Sequence, residues 1–319
     1  MIPTFLKSSW GIIRGFRPFN LGLILGLHKA TQWVLFRDNY GLMSPANRAE
    51  LQHNLDLLMW ASFALAAAGY LINDFYDLKT DQINKPEKSP SLILKNKAIF
   101  WSLWSVLNFT AIFIGFILDK TLANTHFGFL LIGVSGILWA YNLSKWSKFF
   151  IGPLLISALV VLNLILVLEV FSFLPLSLSI DAFSAAEIER NISEITPWVW
   201  RIAFLGFLTN FIREIVKDIE DINGDQNAGR QTIPIVIGIE RTAKLAAVLG
   251  VILVLSLGAF MASALYISIA LSINFALVLT IALWITYNCT KIERPSQAKS
   301  LSLSLKLLLS LGLVCLFWL

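Results

Sequence analysis

Long apolar stretches recur along the whole chain and limit which folds are open to it. About nine of them are long enough for a helix to cross the hydrocarbon of a bilayer, which takes roughly 20 apolar residues. We predict spans at residues 18–36, 54–73, 98–118, 122–142, 149–173, 197–216, 243–264, 266–288 and 300–319. The sequence therefore predicts an all-α integral membrane protein, in which residues 1–319 form a single transmembrane domain.

The charged residues are too few to cover a water-soluble surface. Asp, Glu, Lys and Arg make up 14% of the 319 residues, whereas soluble domains carry about 25%. The formal net charge is +5, and we attribute the excess to basic loops on the cytoplasmic side of a membrane. We accordingly expect the chain to lie in a lipid bilayer and to bind no nucleic acid.

Lysine and arginine are concentrated in alternate loops between the predicted spans. The segment before the first span carries Lys7, Arg14 and Arg17, and the loop after the second span is rich in lysine, whereas residues 174–196 are acidic. Because basic residues are retained in cytoplasmic loops, we expect a cytoplasmic N-terminus and an outer C-terminus. Residues 174–196 are then an external connection with room for a short interfacial helix.

Two aspartate clusters with the same spacing follow the second and the sixth predicted spans. Each has the pattern Asp-x-x-Asp-x-x-x-Asp. The clusters consist of Asp74, Asp77 and Asp81, and of Asp218, Asp221 and Asp225. Four spans separate them, so both lie on the same side of the membrane. This repetition indicates a bundle built from two similar halves.

The spacing of the aspartates favours a metal site. Intervals of three and four residues place the three carboxylates of a cluster on one face of a helix. Like charges stacked in this way destabilise a helix unless they are neutralised. Mg²⁺ prefers oxygen ligands and is commonly held by one or two carboxylates together with substrate phosphates. Solvated helix ends would explain one cluster, but a matched pair predicts Mg²⁺ and a diphosphate held between them.

A bound diphosphate also needs cationic or polar donors, and several residues near the clusters and helix ends qualify. Arg213 is the strongest candidate, because it lies five residues before Asp218 and within the end of the sixth span. The further candidates are Asn20, Lys145, Lys217 and Arg230. A helix cap explains Asn20 equally well, and the positive-inside rule alone would place the bases in these loops.

At these residues the chain resembles the UbiA superfamily of intramembrane prenyltransferases. The matching stretches are Asn73-Asp74-x-x-Asp77-x-x-x-Asp81, Asp218-x-x-Asp221-x-x-x-Asp225, Arg17-Pro18-x-Asn20, Tyr141 and Lys145. Residues 213–234 are similar to the branch of geranylgeranylglycerol-phosphate geranylgeranyltransferases.

The resemblance implies nine spans and a Mg²⁺-dependent transfer of a prenyl group from a prenyl diphosphate to a lipid or aromatic acceptor. It also implies catalytic and metal-holding roles for the six aspartates, and substrate binding by Asn73 and Tyr141. Geranylgeranylglycerol phosphate is one possible acceptor.

Other functions remain open at this point. A polyprenyltransferase of quinone biosynthesis would use 4-hydroxybenzoate or dihydroxynaphthoate instead. A cation transporter would also place carboxylates in a membrane protein, although coupling-ion sites lie near the bilayer midplane and these acids collect at helix ends. A CDP-alcohol phosphotransferase has an aspartate-rich metal site, but in one compact motif.

Overall fold

The computed structural model describes residues 16–84, 94, 96–122, 125–143, 149–172, 180–266 and 268–319, and the regular elements within these ranges are helices. The long helices are α1 (Pro18–Arg37), α2 (Pro45–Tyr76), α4 (Lys97–Thr121), α5 (Phe127–Leu143), α6 (Ile151–Ser172), α7 (Ala182–Glu220), α10 (Ile239–Ala264), α11 (Ile269–Cys289) and α12 (Pro295–Phe317). The short helices are α3 (Leu78–Asn84), α8 (Ile222–Asn227) and α9 (Ile233–Ile237).

Seven helices of the described ranges are long and apolar enough to cross a membrane, namely α2, α4, α6, α7, α10, α11 and α12. Helix α5 is apolar but shorter, with 17 residues. Helix α1 has 20 residues and carries Lys29 and Arg37. The predicted all-α membrane fold is confirmed. That nine helices cross, and that the N-terminus is cytoplasmic, stay predictions.

The helices pack into a bundle of two groups, one of α2, α4 and α5 and the other of α6, α7, α10 and α11. Helices α1 and α12 connect these two halves. Helix α2 packs against α4 and α5, and α7 packs against α6, α10 and α12. Helix α12 also contacts α11 and α1, and α1 contacts α2 and α6. The largest hydrophobic core includes the fully buried Leu35, Phe171, Ile215 and Phe275.

Large apolar side chains also cover the outside of the bundle. Phe109, Phe129, Leu255 and Ile273 are each about two thirds exposed. Helices that are apolar both towards their neighbours and away from them are typical of a protein surrounded by lipid.

Helices α2 and α7 end in the same way at the two aspartate clusters. Each ends immediately before the middle aspartate, where Asp77 has φ −90° and ψ 1° and Asp221 has φ −93° and ψ 4°. The backbone N–H of Asp77 donates to the carbonyl of Asn73 at 2.9 Å, and that of Asp221 donates to the carbonyl of Lys217 at 2.9 Å. The two copies of the motif therefore share one local structure, as expected of two similar halves.

This break corrects the expectation that each cluster occupies one helical face. The third aspartates, Asp81 and Asp225, lie on the short helices α3 and α8 that follow the break. A helix that continued straight would stack three carboxylates on itself, which is unfavourable. Because of the break, the aspartates of each cluster are distributed over two helix segments.

Helix α7 includes most of the stretch 174–196, so a helix there is continuous with the sixth predicted span and not a separate short one; that this stretch is external stays a prediction. Residues 173–179 lie outside the described residues, but from Ala182 the chain is one helix of 39 residues with Pro197 inside it. At 1.5 Å per residue its length is about 58 Å, well beyond the hydrocarbon of a bilayer. Its polar first turns carry side-chain pairs at helical spacing, including Arg190 Nη2 to Glu187 Oε1 at 2.7 Å, and such pairs stabilise an exposed helix.

Candidate active site at the ends of α2 and α7

The two aspartate clusters meet through one arginine. Arg230 Nη2 contacts Asp77 Oδ1 of the first cluster. Arg230 Nη1 lies 2.9 Å from Asp225 Oδ1 of the second cluster. Both clusters therefore lie on the same side of the bundle and within reach of one ligand, as the repeat in the sequence predicts.

A second link joins the short helices that follow the clusters. Asn84 of α3 donates from Nδ2 to the carbonyl oxygen of Asp221 at 2.9 Å, and its Oδ1 accepts from the backbone N–H of Gly224 at 2.8 Å. A Cβ at Gly224 would lie 2.5 Å from Asn84 Nδ2. Glycine at this position therefore allows α3 and α8 to approach closely enough for the two hydrogen bonds.

Arg17 ties the start of α1 to the first cluster. Its Nη2 lies 2.6 Å from Asp74 Oδ1, and its guanidinium carbon is 5.3 Å from the centroid of the Tyr70 ring. Arg17 has φ 49° and ψ 63°, in the left-handed region, which is unusual for a residue other than glycine.

The carboxylate partners of the two arginines at the clusters raise the pKa of each guanidinium. Burial by itself lowers the pKa of an arginine, but Asp74 outweighs this effect at Arg17 and the net pKa is raised. At Arg230 burial likewise opposes the charge, whereas Asp77 and Asp225 raise the pKa above its usual value. Both guanidinium groups are therefore available as permanent cations.

The last turns of α7 hold a group of partly buried charges. Arg213 is ion-paired to Glu214 through Nη1, while its Nε is buried without a hydrogen-bond partner among the described residues. Asp218 Oδ2 is likewise buried without a described partner. At the end of α2, Asn73 Nδ2 donates to Asp77 Oδ2 at 2.6 Å.

A cavity of about 280 Å³ opens beside these charges and extends into the bundle. We call its polar part the charged end. It is lined by Arg17, Asn20, Tyr70, Asn73, Tyr141, Arg213, Glu214, Lys217 and Lys306. Farther in, the walls are apolar side chains of α1, α2, α5, α6, α7, α10, α11 and α12. The lining residues of α7 run from Lys217 to Ile202, which corresponds to about 22 Å of helix.

This shape fits an amphiphile with an ionic head and a long apolar tail. The six aspartates are adjacent to the charged end without belonging to its lining. Asn73 and Lys217 line the charged end and are next in sequence to Asp74 and Asp218. They therefore connect the charged end to the aspartate clusters.

The donor set near the clusters fits a magnesium ion that shares its ligands with a phosphate. Within the described ranges, no three Asp, Glu, His or Cys side chains converge into a protein cage for a metal. Mg²⁺ does not need such a cage, because it usually takes one or two carboxylates and completes its shell with phosphate oxygens and water. Asp77 and Asp225, which approach the same guanidinium, offer carboxylates of the required kind.

The structure gathers most of the predicted residues at this site. Asn20, Asn73, Tyr141, Arg213 and Lys217 line the charged end. Lys145 lies outside the described residues.

Ion pairs and a backbone hydrogen bond join predicted aspartates to other elements. Asp74 pairs with Arg17, and Asp77 and Asp225 both pair with Arg230. Asp221 contributes its carbonyl oxygen to the link with α3. Asp81 is half-buried on that helix, where its N–H donates to the carbonyl of Asp77 at 2.8 Å.

Sequence reasoning gave no site role to four residues that the structure places here, namely Asn84, Glu214, Lys306 and Arg17, although Arg17 lies in one of the stretches that match the family. Lys306 carries a usable signal, since a lysine deep inside an apolar span tends to face a cavity or a partner. Glu214 stands next to Arg213 and only its position in the fold identifies it. Asn84 has no such signal, because its hydrogen-bond partners, Asp221 and Gly224, are 137 and 140 residues away.

Fold and site together describe a membrane-embedded helical protein with an acidic, phosphate-compatible site at the end of an apolar cavity. A family model described as the UbiA prenyltransferase family matches residues 41–311. The chain therefore belongs to that family.

Among relatives of known name, the chain is similar to the digeranylgeranylglyceryl phosphate synthase of Methanosphaera stadtmanae. The two are 31% identical over 193 residues, which is 60% of each chain. The chain spans about 60% of the length of the first relatives of this name.

Two solved structures share the fold. One, described as digeranylgeranylglyceryl phosphate synthase in membranes, aligns with a TM-score of 0.60 and 19% identity over 98% of both chains. The other is a UbiA homologue from Archaeoglobus fulgidus bound to GPP and Mg²⁺, with a TM-score of 0.51 and 14% identity over 96% of this chain and 99% of that one. At these identities the likeness establishes the fold alone.

Proposed function

We propose that this protein transfers a prenyl group from a prenyl diphosphate to a small acceptor, with Mg²⁺ as cofactor. The name of the relatives, digeranylgeranylglyceryl phosphate synthase, supports a geranylgeranyl group as donor and a geranylgeranylated glycerol phosphate as acceptor. The family favours this activity over ion transport and over phosphotransfer from a CDP-alcohol.

One observation carries the proposal. The guanidinium of Arg230 contacts Asp77 and Asp225, one carboxylate from each cluster, beside the charged end of an elongated apolar cavity. A prenyl diphosphate has the matching chemistry, because its head is a multivalent anion and its tail is a hydrocarbon. The head would lie at the clusters and the tail would lie along α7.

The chain's own residues would have separate roles in the reaction. The six aspartates would hold Mg²⁺, which supplies Lewis-acid stabilisation of the diphosphate as it leaves. Arg230 would donate to phosphate oxygens that gain negative charge, where preorganised donors contribute most. Asn73 keeps Asp77 oriented through the hydrogen bond between Nδ2 and Oδ2.

In the transfer, the bond between the prenyl carbon and the diphosphate oxygen breaks. A bond forms from that carbon to the nucleophilic atom of the acceptor, and the acceptor loses a proton. The apolar walls of the cavity would keep water from the reacting carbon and so prevent hydrolysis. The excess of basic residues in the loops on this side of the bundle supports a cytoplasmic position for the site.

The decisive experiment uses purified protein with Mg²⁺, labelled prenyl diphosphates and a panel of acceptors, with the products identified by mass. The panel includes geranylgeranylglycerol phosphate, 4-hydroxybenzoate and dihydroxynaphthoate. We expect transfer to the glycerol phosphate lipid, and a product with an aromatic acceptor alone would replace this acceptor with a quinone precursor.

Substitutions at the clusters test the metal-binding part of the proposal. Asp77→Ala and Asp221→Ala are each expected to abolish transfer, as is excess chelator, because each cluster loses its central carboxylate. Asp38→Ala is the matched control, since Asp38 is exposed after α1 at the other end of the bundle. Circular dichroism and thermal unfolding in detergent check that the variants stay folded. Full activity in either cluster variant would refute the proposed metal site.

A further inference from the structure

Lys306 lies deep within a predicted membrane helix and faces the cavity. It is eleven residues from the start of α12, about 16 Å along the helix axis. Its Nζ lies 5.1 Å from the centroid of the Phe19 ring in the first turn of α1, and the side chain lines the charged end together with Asn20. A lysine at such a depth is costly unless a cavity or a counter-charge receives it.

The charged end of the cavity has an excess of positive charge. Among the described lining residues the cations are Arg17, Arg213, Lys217 and Lys306, and the acid is Glu214. Among these lining residues, four positive charges minus one negative charge leave +3. Carboxylates of the clusters lie behind them: Asp74 pairs with Arg17, and Asp218 and Asp221 interact with Lys217. These cations are only partly buried, and the Nε of Arg213 has no hydrogen-bond partner among the described residues, so this end of the cavity offers donors to an anion.

This anion would be bound by different chemistry from that at the aspartate clusters. Arg213 and Lys217 are four residues apart and therefore lie on one side of α7, and α12 brings Lys306 to the same cavity. Here the donors are ammonium, guanidinium and the amide of Asn20, whereas the clusters offer mainly carboxylates. A metal-bridged diphosphate requires the carboxylates, while a phosphate without metal is best bound by basic donors.

We propose that Lys306, with Arg213, Lys217 and Asn20, forms a second anion subsite that binds the phosphate monoester of the acceptor. This inference rests on the proposed function and names the class of acceptor, an amphiphile with a phosphate head. Arg213 supplies a planar fork of donors and the lysines supply compact charges, a combination that suits the three terminal oxygens of a phosphate monoester. An aromatic acid such as 4-hydroxybenzoate would bring one carboxylate charge, which is less than a phosphate monoester brings.

Binding without metal tests the subsite directly. Purified protein in excess EDTA is titrated with geranylgeranylglycerol phosphate and with geranylgeranylglycerol, and binding is followed by calorimetry. We expect the phosphorylated lipid to bind at least about tenfold more tightly than the alcohol, since a charge-assisted contact is lost with the phosphate. Equal affinities for the two lipids would overturn the proposal.

Variants of α12 assign the effect to Lys306. Lys306→Met is expected to weaken binding of the phosphorylated lipid about tenfold and to leave the alcohol unchanged, and Lys306→Arg is expected to restore most of the affinity. Lys299→Met is the matched control, because Lys299 is exposed on the same helix and is not part of the cavity lining. Loss of affinity for both lipids in Lys306→Met would indicate a structural role instead and would refute the subsite.

Steady-state kinetics show whether Lys306 binds the acceptor or the donor. Lys306→Met should raise the KM for the phosphorylated acceptor and leave the KM for the prenyl diphosphate unchanged. The reverse result would place Lys306 at the donor and overturn the inference.

If the wild-type protein binds the phosphorylated lipid through Lys306 but transfers no prenyl group, the proposed function fails and the subsite stands. If transfer occurs and binding is independent of Lys306, the subsite alone fails.

Discussion

Arginine side chains fix the positions of the aspartates at the candidate active site. Arg17 holds Asp74 at 2.6 Å, and Arg230 joins Asp77 to Asp225 across the two halves of the bundle. The neighbouring carboxylates raise the pKa of both arginines despite burial. Without cations between them, carboxylates from two clusters would repel one another.

For prenyl transfer, the planar guanidinium of Arg230 with its two donor nitrogens should be more important than its positive charge alone. Arg230→Met removes two charge-assisted contacts, each worth roughly 1.5–3 kcal/mol, so we expect kcat/KM for prenyl transfer to fall about a hundredfold or more. Arg230→Lys should recover only part of the activity, because one ammonium cannot reproduce a guanidinium that contacts two carboxylates in a fixed plane.

The control for this prediction is Arg241→Met. Arg241 is an exposed base near the start of α10, so its loss changes the net charge equally and should leave kcat/KM unchanged. Wild-type activity in Arg230→Lys would show that charge alone is sufficient at this position.

At the level of secondary-structure elements, two short helices connect the two halves of the protein. Helices α3 and α8 follow the equivalent breaks at Asp77 and Asp221 and pack against each other. Asn84 makes hydrogen bonds to the backbone of Asp221, at the break before α8, and of Gly224 in α8. The distance between the clusters therefore depends on how closely these two short helices approach.

The contact between α3 and α8 predicts a steric effect at Gly224. In Gly224→Ala the new methyl group would meet the Asn84 side chain at 2.5–2.7 Å, so the helices must separate. We expect a lower midpoint of thermal unfolding and a loss of prenyl transfer of about tenfold, in line with the cost of overpacking a tight contact.

A second substitution tests the cause of that loss. Asn84→Ala removes the side chain that clashes, so the double variant should lose much less than the sum of the two single variants. Gly22→Ala is the matched control, because a Cβ at Gly22 has open space within 4 Å. Additive losses in the double variant would show that the close approach is not the cause.

The orientation of the whole molecule in the membrane follows from the ends of its long helices. Glu50 is exposed near the start of α2, and Asn223 is exposed on α8 beyond the other end of the bundle. The positive-inside rule places the end with the basic loops in the cytoplasm. We therefore expect the aspartate clusters to face the cytoplasm.

Cysteine labelling in oriented vesicles checks this orientation. In a background with Cys289 and Cys315 replaced by alanine, Asn223→Cys should react with an impermeant thiol reagent from the cytoplasmic side only. Glu50→Cys should react from the opposite side only. Labelling of both positions from one side would contradict the proposed topology.

The sequence by itself determined the class of fold and predicted the acids of the candidate site. Apolar runs of membrane-spanning length specify helices because a backbone in hydrocarbon must satisfy its hydrogen bonds within one segment. The matched aspartate patterns identified the acids, since residue type and spacing are local properties. The span predicted at 98–118, for example, differs from α4 (Lys97–Thr121) by only a few residues.

Only the tertiary structure decided which of these residues share a site. Asp77 and Arg230 are separated by 153 positions in sequence, and Lys306 reaches the charged end of the cavity only because α12 packs against α1 and α7. The break of α2 and α7 at their middle aspartates was equally hidden, because intervals of three and four residues are compatible with one continuous helix. Contacts of this kind depend on how helices pack together, whereas a sequence pattern describes each helix separately.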